Sequence, residues 1–204
     1  MKLLTMISYR GINESRSGTQ VDLQLMNEQH ESQENSLEIR PATSDDRQGV
    51  IDLIATCYAE YDDKVCLDGA EQELLEIPQA YHKIGGQFWV LSDQQGTIFG
   101  SHAAYPENVE QRVAGFKRLY LDQSLRGGVW SQRLMQVTID WSWANNFHKI
   151  EFWSDTRFER AHRFFGKFGF KKDGRVREMF DSHDPYSEFY FSLLNPGQDA
   201  QPDS

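Results

Sequence analysis

Ile150-Glu151-Phe152-Trp153-Ser154-Asp155-Thr156-Arg157-Phe158-Glu159-Arg160-Ala161-His162-Arg163-Phe164-Phe165-Gly166-Lys167-Phe168-Gly169-Phe170 changes its apolar period partway along. Lys149 to Ser154 has the composition of a strand. Phe158, Ala161, Phe165 and Phe168 then recur at helical spacing, and Gly169 ends that short helix as a C-terminal glycine. Asp155 stands where it can cap a helix starting at Arg157.

Working outward, Phe170 to Met179 and Tyr186 to Leu194 read as two closing strands. On the other side, Trp130, Leu134, Val137, Trp141 and Ala144 mark the core face of a long helix that follows Arg126-Gly127-Gly128. Val113 to Leu121 is a strand. Gln87 to Leu91 and Thr97 to Ala104 flank the turn composition Ser92-Asp93-Gln94-Gln95-Gly96 and form a hairpin. Val50, Leu53, Ile54, Cys57, Tyr58 and Tyr61 form one buried helical stripe, opened by Thr43 and Asp46 at capping-box spacing. A weaker helix is expected over Gly69 to Ile77, with Pro78 at its end, and Leu37 to Arg40 supplies the first strand. The order is strand, two helices, three strands, helix, strand, helix, two strands, a mixed α/β layout.

The 204 residues suit one domain with a real core. Residues 1–36 are expected to be a disordered leader because their polar composition buries too little to offset ordering entropy, and Met26 would serve as a start as well as Met1. The domain is expected over 37–194, with a flexible polar tail over 195–204. A formal charge of -10 repels phosphate backbones and anionic lipid surfaces, which argues against nucleic acid and membrane partners and favours cationic ones. The two cysteines, Cys57 and Cys66, form no CxxC pair, and the opening apolar run stops at Ser8, short of a signal sequence. A cytoplasmic protein is expected.

The element order and the stretch from Ile150 to Phe170 resemble the GNAT N-acetyltransferase superfamily, with its strand, helix and closing Gly-Phe. Gly85-Gly86-Gln87-Phe88-Trp89-Val90 and Lys117-Arg118-Leu119-Tyr120-Leu121 are similar to a group of small bacterial-type GNAT proteins. The resemblance covers residues 37 to 194. It implies the GNAT acyl-CoA N-acyltransferase fold, a mostly antiparallel twisted sheet of about seven strands flanked by four helices. It also implies acetyl-coenzyme A as co-substrate, a small-molecule or peptide amine as acceptor, direct attack without an acyl-enzyme, and a surface compatible with a homodimer.

The family's cofactor loop reads Arg/Gln-x-x-Gly-x-Gly/Ala and holds a pyrophosphate on main-chain N–H groups at a helix N-terminus, where orphan donors and the dipole favour an anion. Its counterpart is Arg126-Gly127-Gly128-Val129-Trp130-Ser131, with Val129 and Ser131 at positions where glycines are expected. Val129 disfavours a positive φ, should the loop require one there. Leu119, Tyr120 and Leu121 are the implied thioester contacts, and a main-chain N–H near Tyr120 is the implied oxyanion donor.

Catalysis in the family calls for a proton acceptor, since an amine with a pKa of about 10.4 is protonated at neutral pH. Relatives often place Glu where this chain has Gly115, and a Tyr general acid where it has Phe165. Loss of the acid slows the reaction without forbidding it, because a thiolate whose conjugate acid titrates at about 8.5 leaves unaided. The two replacements open a second reading, a GNAT-like module that binds an acyl-coenzyme A without catalysis. Tyr120, Asp155, His162 and His102 are substitute acids or bases that more ordinary structural roles explain equally or better. Tyr186, Ser187 and Glu188 are candidate lining for the acceptor pocket. Lys171, Lys172, Arg175 and Arg177 read as a solvated strand face before a 3'-phosphate site. Trp130, Trp141 and Trp153 read as core, and the His and Cys spacings suggest no metal site.

Overall fold

The computed structural model describes residues 36–180 and 184–197, so the expected leader, all but Ser36, and the tail beyond 197 lie outside the described residues. The described residues from Glu38 onward form one compact unit. Among the described residues it forms strands β1 Glu38–Pro41, β2 Gln87–Ser92, β3 Ile98–Asn108, β4 Val113–Leu121, β5 Lys149–Asp155, β6 Lys171–Met179 and β7 Tyr186–Leu194. Its α-helices are α1 Arg47–Ala59, α2 Gln79–His82, α3 Val129–Ala144 and α4 Glu159–Lys167. The sheet runs β1-β2-β3-β4-β5-β7-β6, and every neighbouring pair is antiparallel except β4 with β5.

The opening follows the predicted capping chemistry. The Asp46 carboxylate accepts from the Thr43 N–H at 2.7 Å and from its hydroxyl at 3.0 Å, while Arg40 forks onto both Asp46 oxygens at 2.7 Å. Val50, Leu53, Ile54 and Cys57 of α1 are buried as their spacing predicts, with Tyr58 and Tyr61 half-buried at the end of the stripe.

Three expectations are corrected. Residues Gln72–Glu76 form a 3-10 turn where an α-helix was expected over Gly69 to Ile77; Leu74 is its buried residue, and Ile77, extended and also buried, ends it. Pro78 does not only close that segment; it is the N-cap of α2, where its missing N–H leaves no bond unmade. The buried stripe of α3 is Trp130, Leu134, Met135, Thr138, Ile139 and Ser142, rotated from the predicted face so that Val137 and Trp141 are half-buried and Ala144 is exposed. Apolar counting passes over Thr138 and Ser142, yet each satisfies its hydroxyl on a carbonyl of its own helix, Met135 and Thr138 respectively, at 2.8 Å.

Against β3, strand β4 carries an extra residue. Ser101 pairs with Tyr120 and Ala103 with Lys117, so Arg118 and Leu119 oppose His102 alone. Arg118 takes a left-handed φ of 60°, and its carbonyl accepts from the Ser101 hydroxyl at 2.8 Å. Such a bulge bends the strand and re-aims its side chains.

Candidate active site

β4 and β5 pair only from Val113–Gly115 to Lys149–Glu151. Past that rung, β4 stays bonded to β3 as far as Leu121 and β5 stays bonded to β7 as far as Asp155, so each strand follows its outer neighbour and the two part. A cavity of about 400 Å³ occupies the opening. Consecutive residues of both strands line it, 116–120 and 151–155; because strand side chains alternate, the cavity reaches both faces of the sheet.

The start of α3 lies just beyond the end of β4. Asp122 accepts from the Ser124 N–H at 2.9 Å and shapes the turn Gln123–Leu125. Gly127 then takes φ 80°, a left-handed step suited to glycine, and Gly128 is the extended N-cap of α3. Val129 is the first helical residue and is exposed, so the left-handed step falls at Gly127, before the branched side chain. A methyl group on Gly127 would meet nothing within 4 Å, which leaves the ground before the helix open. No side chain caps this helix, so its leading N–H groups keep their capacity for an acceptor and the helix dipole favours a negative one. The Ser131 hydroxyl turns back to the Gly128 carbonyl at 3.0 Å, and the Trp130 ring is buried, so both side chains lie clear of that approach.

Arg126 holds the loop from behind. Its Nε donates to the Leu121 carbonyl at 2.8 Å and its terminal nitrogens fork onto Glu60 at 2.6 and 2.5 Å, tying the loop to the end of α1. That bond to Arg126 holds the Glu60 carboxyl below its ordinary pKa. Leu121 is buried, whereas Leu119 and Tyr120 line the cavity. The Tyr120 phenol donates to Tyr58 at 3.2 Å, and Tyr58 donates to Glu71 at 3.1 Å. Burial raises the pKa of both phenols.

The residues sequence reasoning missed lie beneath Tyr120. Arg118 is 7% exposed at its side chain and donates to Glu73 at 2.8 Å, Glu71 at 3.1 Å and the Ala70 carbonyl at 2.6 Å. Burial pushes the Glu73 carboxyl up more than any one neighbour pulls it down, but the Arg118 charge and hydrogen bond, with the Lys117 charge, together make the net shift downward. This cluster fixes the segment before α2 against the bulged strand. The signal for it was faint, an arginine inside a strand and acids scattered along an irregular segment.

Gly115 and Phe165 are where their spacing puts them. Tyr105 pairs with Gly115, and a methyl group built on Gly115 would lie 2.6 Å from Tyr105 Cζ, 2.8 Å from its hydroxyl oxygen and 2.9 Å from Glu107 Oε2. Space that a β4 side chain would take is thus filled from β3, by two residues on a strand that runs past its predicted end at Ala104. Phe165 is buried in an aromatic cluster, with ring centroids 4.9 Å from Phe152 and 5.3 Å from Phe191, and its edge reaches the cavity.

The substitute candidates separate. His102 is fully buried on the cavity wall, Nδ1 lies 3.0 Å from the Thr138 hydroxyl, and burial pushes its pKa down to about 3, so the ring is neutral near pH 7. His162 is half-buried beside Phe191, 3.3 Å from the Ser154 hydroxyl, with its pKa also lowered by burial. Asp155 holds the Arg157 N–H at 2.8 Å and its guanidinium at 2.6 Å, but α4 starts only at Glu159; the carboxylate shapes the turn before the helix and does not cap it. Arg157 continues to Asp63 at 2.6 Å.

Tyr186 and Glu188 line the cavity, while the Ser187 hydroxyl donates to Glu178 at 2.9 Å. Of the basic run, Lys172 covers Phe189 at 3.8 Å and Arg175 covers Tyr190 at 3.4 Å, the solvated face foreseen. Arg177 departs from it, reaching the cavity to pair with Glu188 at 2.6 Å and to cover Trp153 at 4.5 Å. Trp153 is therefore half-buried cavity wall and not core.

The sheet opens between one parallel pair of strands, beside an uncapped helix start, and comparison with known proteins gives the family. The model of the acetyltransferase (GNAT) family matches residues 48–170, and the chain belongs to that family. No curated protein sequence matches it. Among solved structures, a GNAT-family acetyltransferase from Staphylococcus aureus Mu50 is similar at 18% identity and TM-score 0.66, covering 78% of this chain and 98% of its own. A phosphinothricin acetyltransferase from Sinorhizobium meliloti, solved in complex with AcCoA, is similar at 15% identity and TM-score 0.63, over 82% of this chain and 94% of its own. A spermidine N-acetyltransferase chimera from Vibrio cholerae is similar at 20% identity and TM-score 0.61, over 78% of this chain and 95% of its own. These likenesses carry the fold.

Proposed function

We propose that the protein transfers an acetyl group from acetyl-coenzyme A to the amine of a small molecule or peptide, by direct attack of the amine on the thioester. The observation that carries this reading is the parting of β4 from β5 beside an uncapped, glycine-opened helix start. The main-chain N–H groups over Gly127, Gly128, Val129, Trp130 and Ser131 suit a diphosphate, and the open ground before Gly127 leaves it room. Arg126 gives its main-chain N–H to the Gln123 carbonyl, and its side chain sets the position of the loop. Leu119, Tyr120 and Leu121 carry the strand past which the thioester runs, and main-chain N–H near Tyr120 is the donor for the developing oxyanion. Acetyl-coenzyme A supplies the activated acyl group, and the protein holds and orients the two reactants.

Membership of the family and the two named relatives, which act on phosphinothricin and spermidine, support an amine acceptor. Both cysteines are free thiols, which suits a reducing cytosol, and among the described residues no helix is long and apolar enough to cross a membrane. Phe165 favours a second reading, an acyl-coenzyme A-binding module without turnover, because the cavity there ends in an aromatic ring with no proton to give. Calorimetric titration with acetyl-coenzyme A, then thiol release over a panel of amines, separates them. The transferase reading expects binding and amine-dependent thiol release; binding without release supports the module, and absence of binding removes both.

A further inference from the structure

Six carboxylates line the cavity, and five of them are already engaged. Glu71 is paired with Arg118, Glu151 with Lys149, Asp155 and Asp63 with Arg157, and Glu188 with Arg177. Each of those carboxylates already has a cation as its partner. Glu107 differs. Among the described residues it stands in no ion pair, and its neighbour is the Tyr105 phenol. Burial, with the Glu107 charge beside it, raises the pKa of that phenol, so Tyr105 keeps its proton and can only donate to the carboxylate.

Position adds to chemistry. Glu107 Oε2 lies 2.9 Å from the point where a Gly115 side chain would begin, and Gly115 with Glu151 is the last rung before the strands part. The carboxylate therefore stands at the edge of the opening, over a backbone with no side chain to screen it. Its own strand continues into solvent, and Glu107 is exposed, which gives a proton a way out to bulk water.

We infer that Glu107, delivered from β3 across Gly115, is the group that takes the proton from the attacking amine. This rests on the transferase reading above. As the neutral amine nitrogen bonds to the thioester carbonyl carbon it becomes cationic and gives one proton to a Glu107 oxygen. The C–S bond breaks with its electron pair on sulfur, and the thiolate then receives the proton held on Glu107, restoring the carboxylate. The Tyr105 phenol holds Glu107 in place, and no other oxidant, metal or base enters the balance.

The test compares wild type with Glu107→Gln and Glu107→Asp, using acetyl-coenzyme A with spermidine, free lysine and phosphinothricin as acceptor probes. For any amine the wild type accepts, Glu107→Gln should lower kcat by about 10²- to 10⁴-fold, the worth of one positioned base. Affinity for acetyl-coenzyme A should stay within about twofold, and the unfolding midpoint should not move, since the residue is exposed. Glu107→Asp should recover part of the rate, and the deficit of Glu107→Gln should shrink for an amine whose conjugate acid titrates below neutrality. A Glu107→Gln variant as fast as wild type overturns the assignment and leaves the transferase reading intact. A wild type that binds acetyl-coenzyme A yet releases no thiol with any amine overturns both.

Discussion

The loop from Arg126 to Ser131 and the opposite wall at Gly115, Tyr105 and Glu107 belong to the same site but tolerate sequence change differently. The loop works through its main chain. Val129 and Ser131 replace expected glycines, yet the left-handed step stays at Gly127 and the Ser131 hydroxyl turns back to the Gly128 carbonyl, so the donors survive. At the opposite wall the chemistry resides in side chains, and there a glycine on β4 has its space filled by a tyrosine and a glutamate from β3. A function carried by N–H groups is lost only to proline or to a blocked approach; one carried by a carboxylate moves with the residue that supplies it.

The largest effect that would sharpen this contrast lies under the side-chain wall. Arg118→Met leaves Glu71, 4% exposed at its side chain, without its cation, and breaking one partner of a buried pair costs about 3–5 kcal/mol. Urea unfolding should show a loss in that range; a loss below about 1 kcal/mol would mean the cluster contributes little and the wall stands on packing alone.

Smaller effects follow from the glycines. Gly115→Ala forces a methyl to 2.6 Å from the Tyr105 ring, and overpacking of this kind costs about 1–3 kcal/mol. Gly127→Ala meets no atom within 4 Å but must hold φ 80°, a cost of about 1–2 kcal/mol from backbone strain alone. Gly128→Ala has an extended φ of -89° and nothing nearer than the Leu125 carbonyl oxygen at 3.5 Å, and should stay within about 0.5 kcal/mol. Thermal melts of the three variants give the ranking. If Gly128→Ala proves the costliest, the loop is more crowded than the structure has it and the contrast fails.

Legibility in the sequence followed the same divide. Element order, the seven-stranded sheet and the α1 stripe were readable because apolar periodicity reports burial directly. The α3 face was misjudged because Thr138 and Ser142 hide polar groups by bonding to their own helix, which apolar counting does not register. The helix start at Gly127 and Gly128 was visible as a glycine pair. Glu107 was not, since it lay past the predicted end of a strand and owes its place to cross-strand pairing of Tyr105 with Gly115. Arg118 was equally hidden, because a bulge is set by the register of two strands and not by the composition of either.

A crystal structure with acetyl-coenzyme A bound addresses the central claim most directly. The account predicts the diphosphate within hydrogen-bond distance of main-chain N–H groups over residues 127–131, with the acyl end entering the gap where β4 and β5 separate past Gly115 and Glu151. A cofactor seated elsewhere, or one that reaches the loop while its acyl end stays outside that gap, would contradict it.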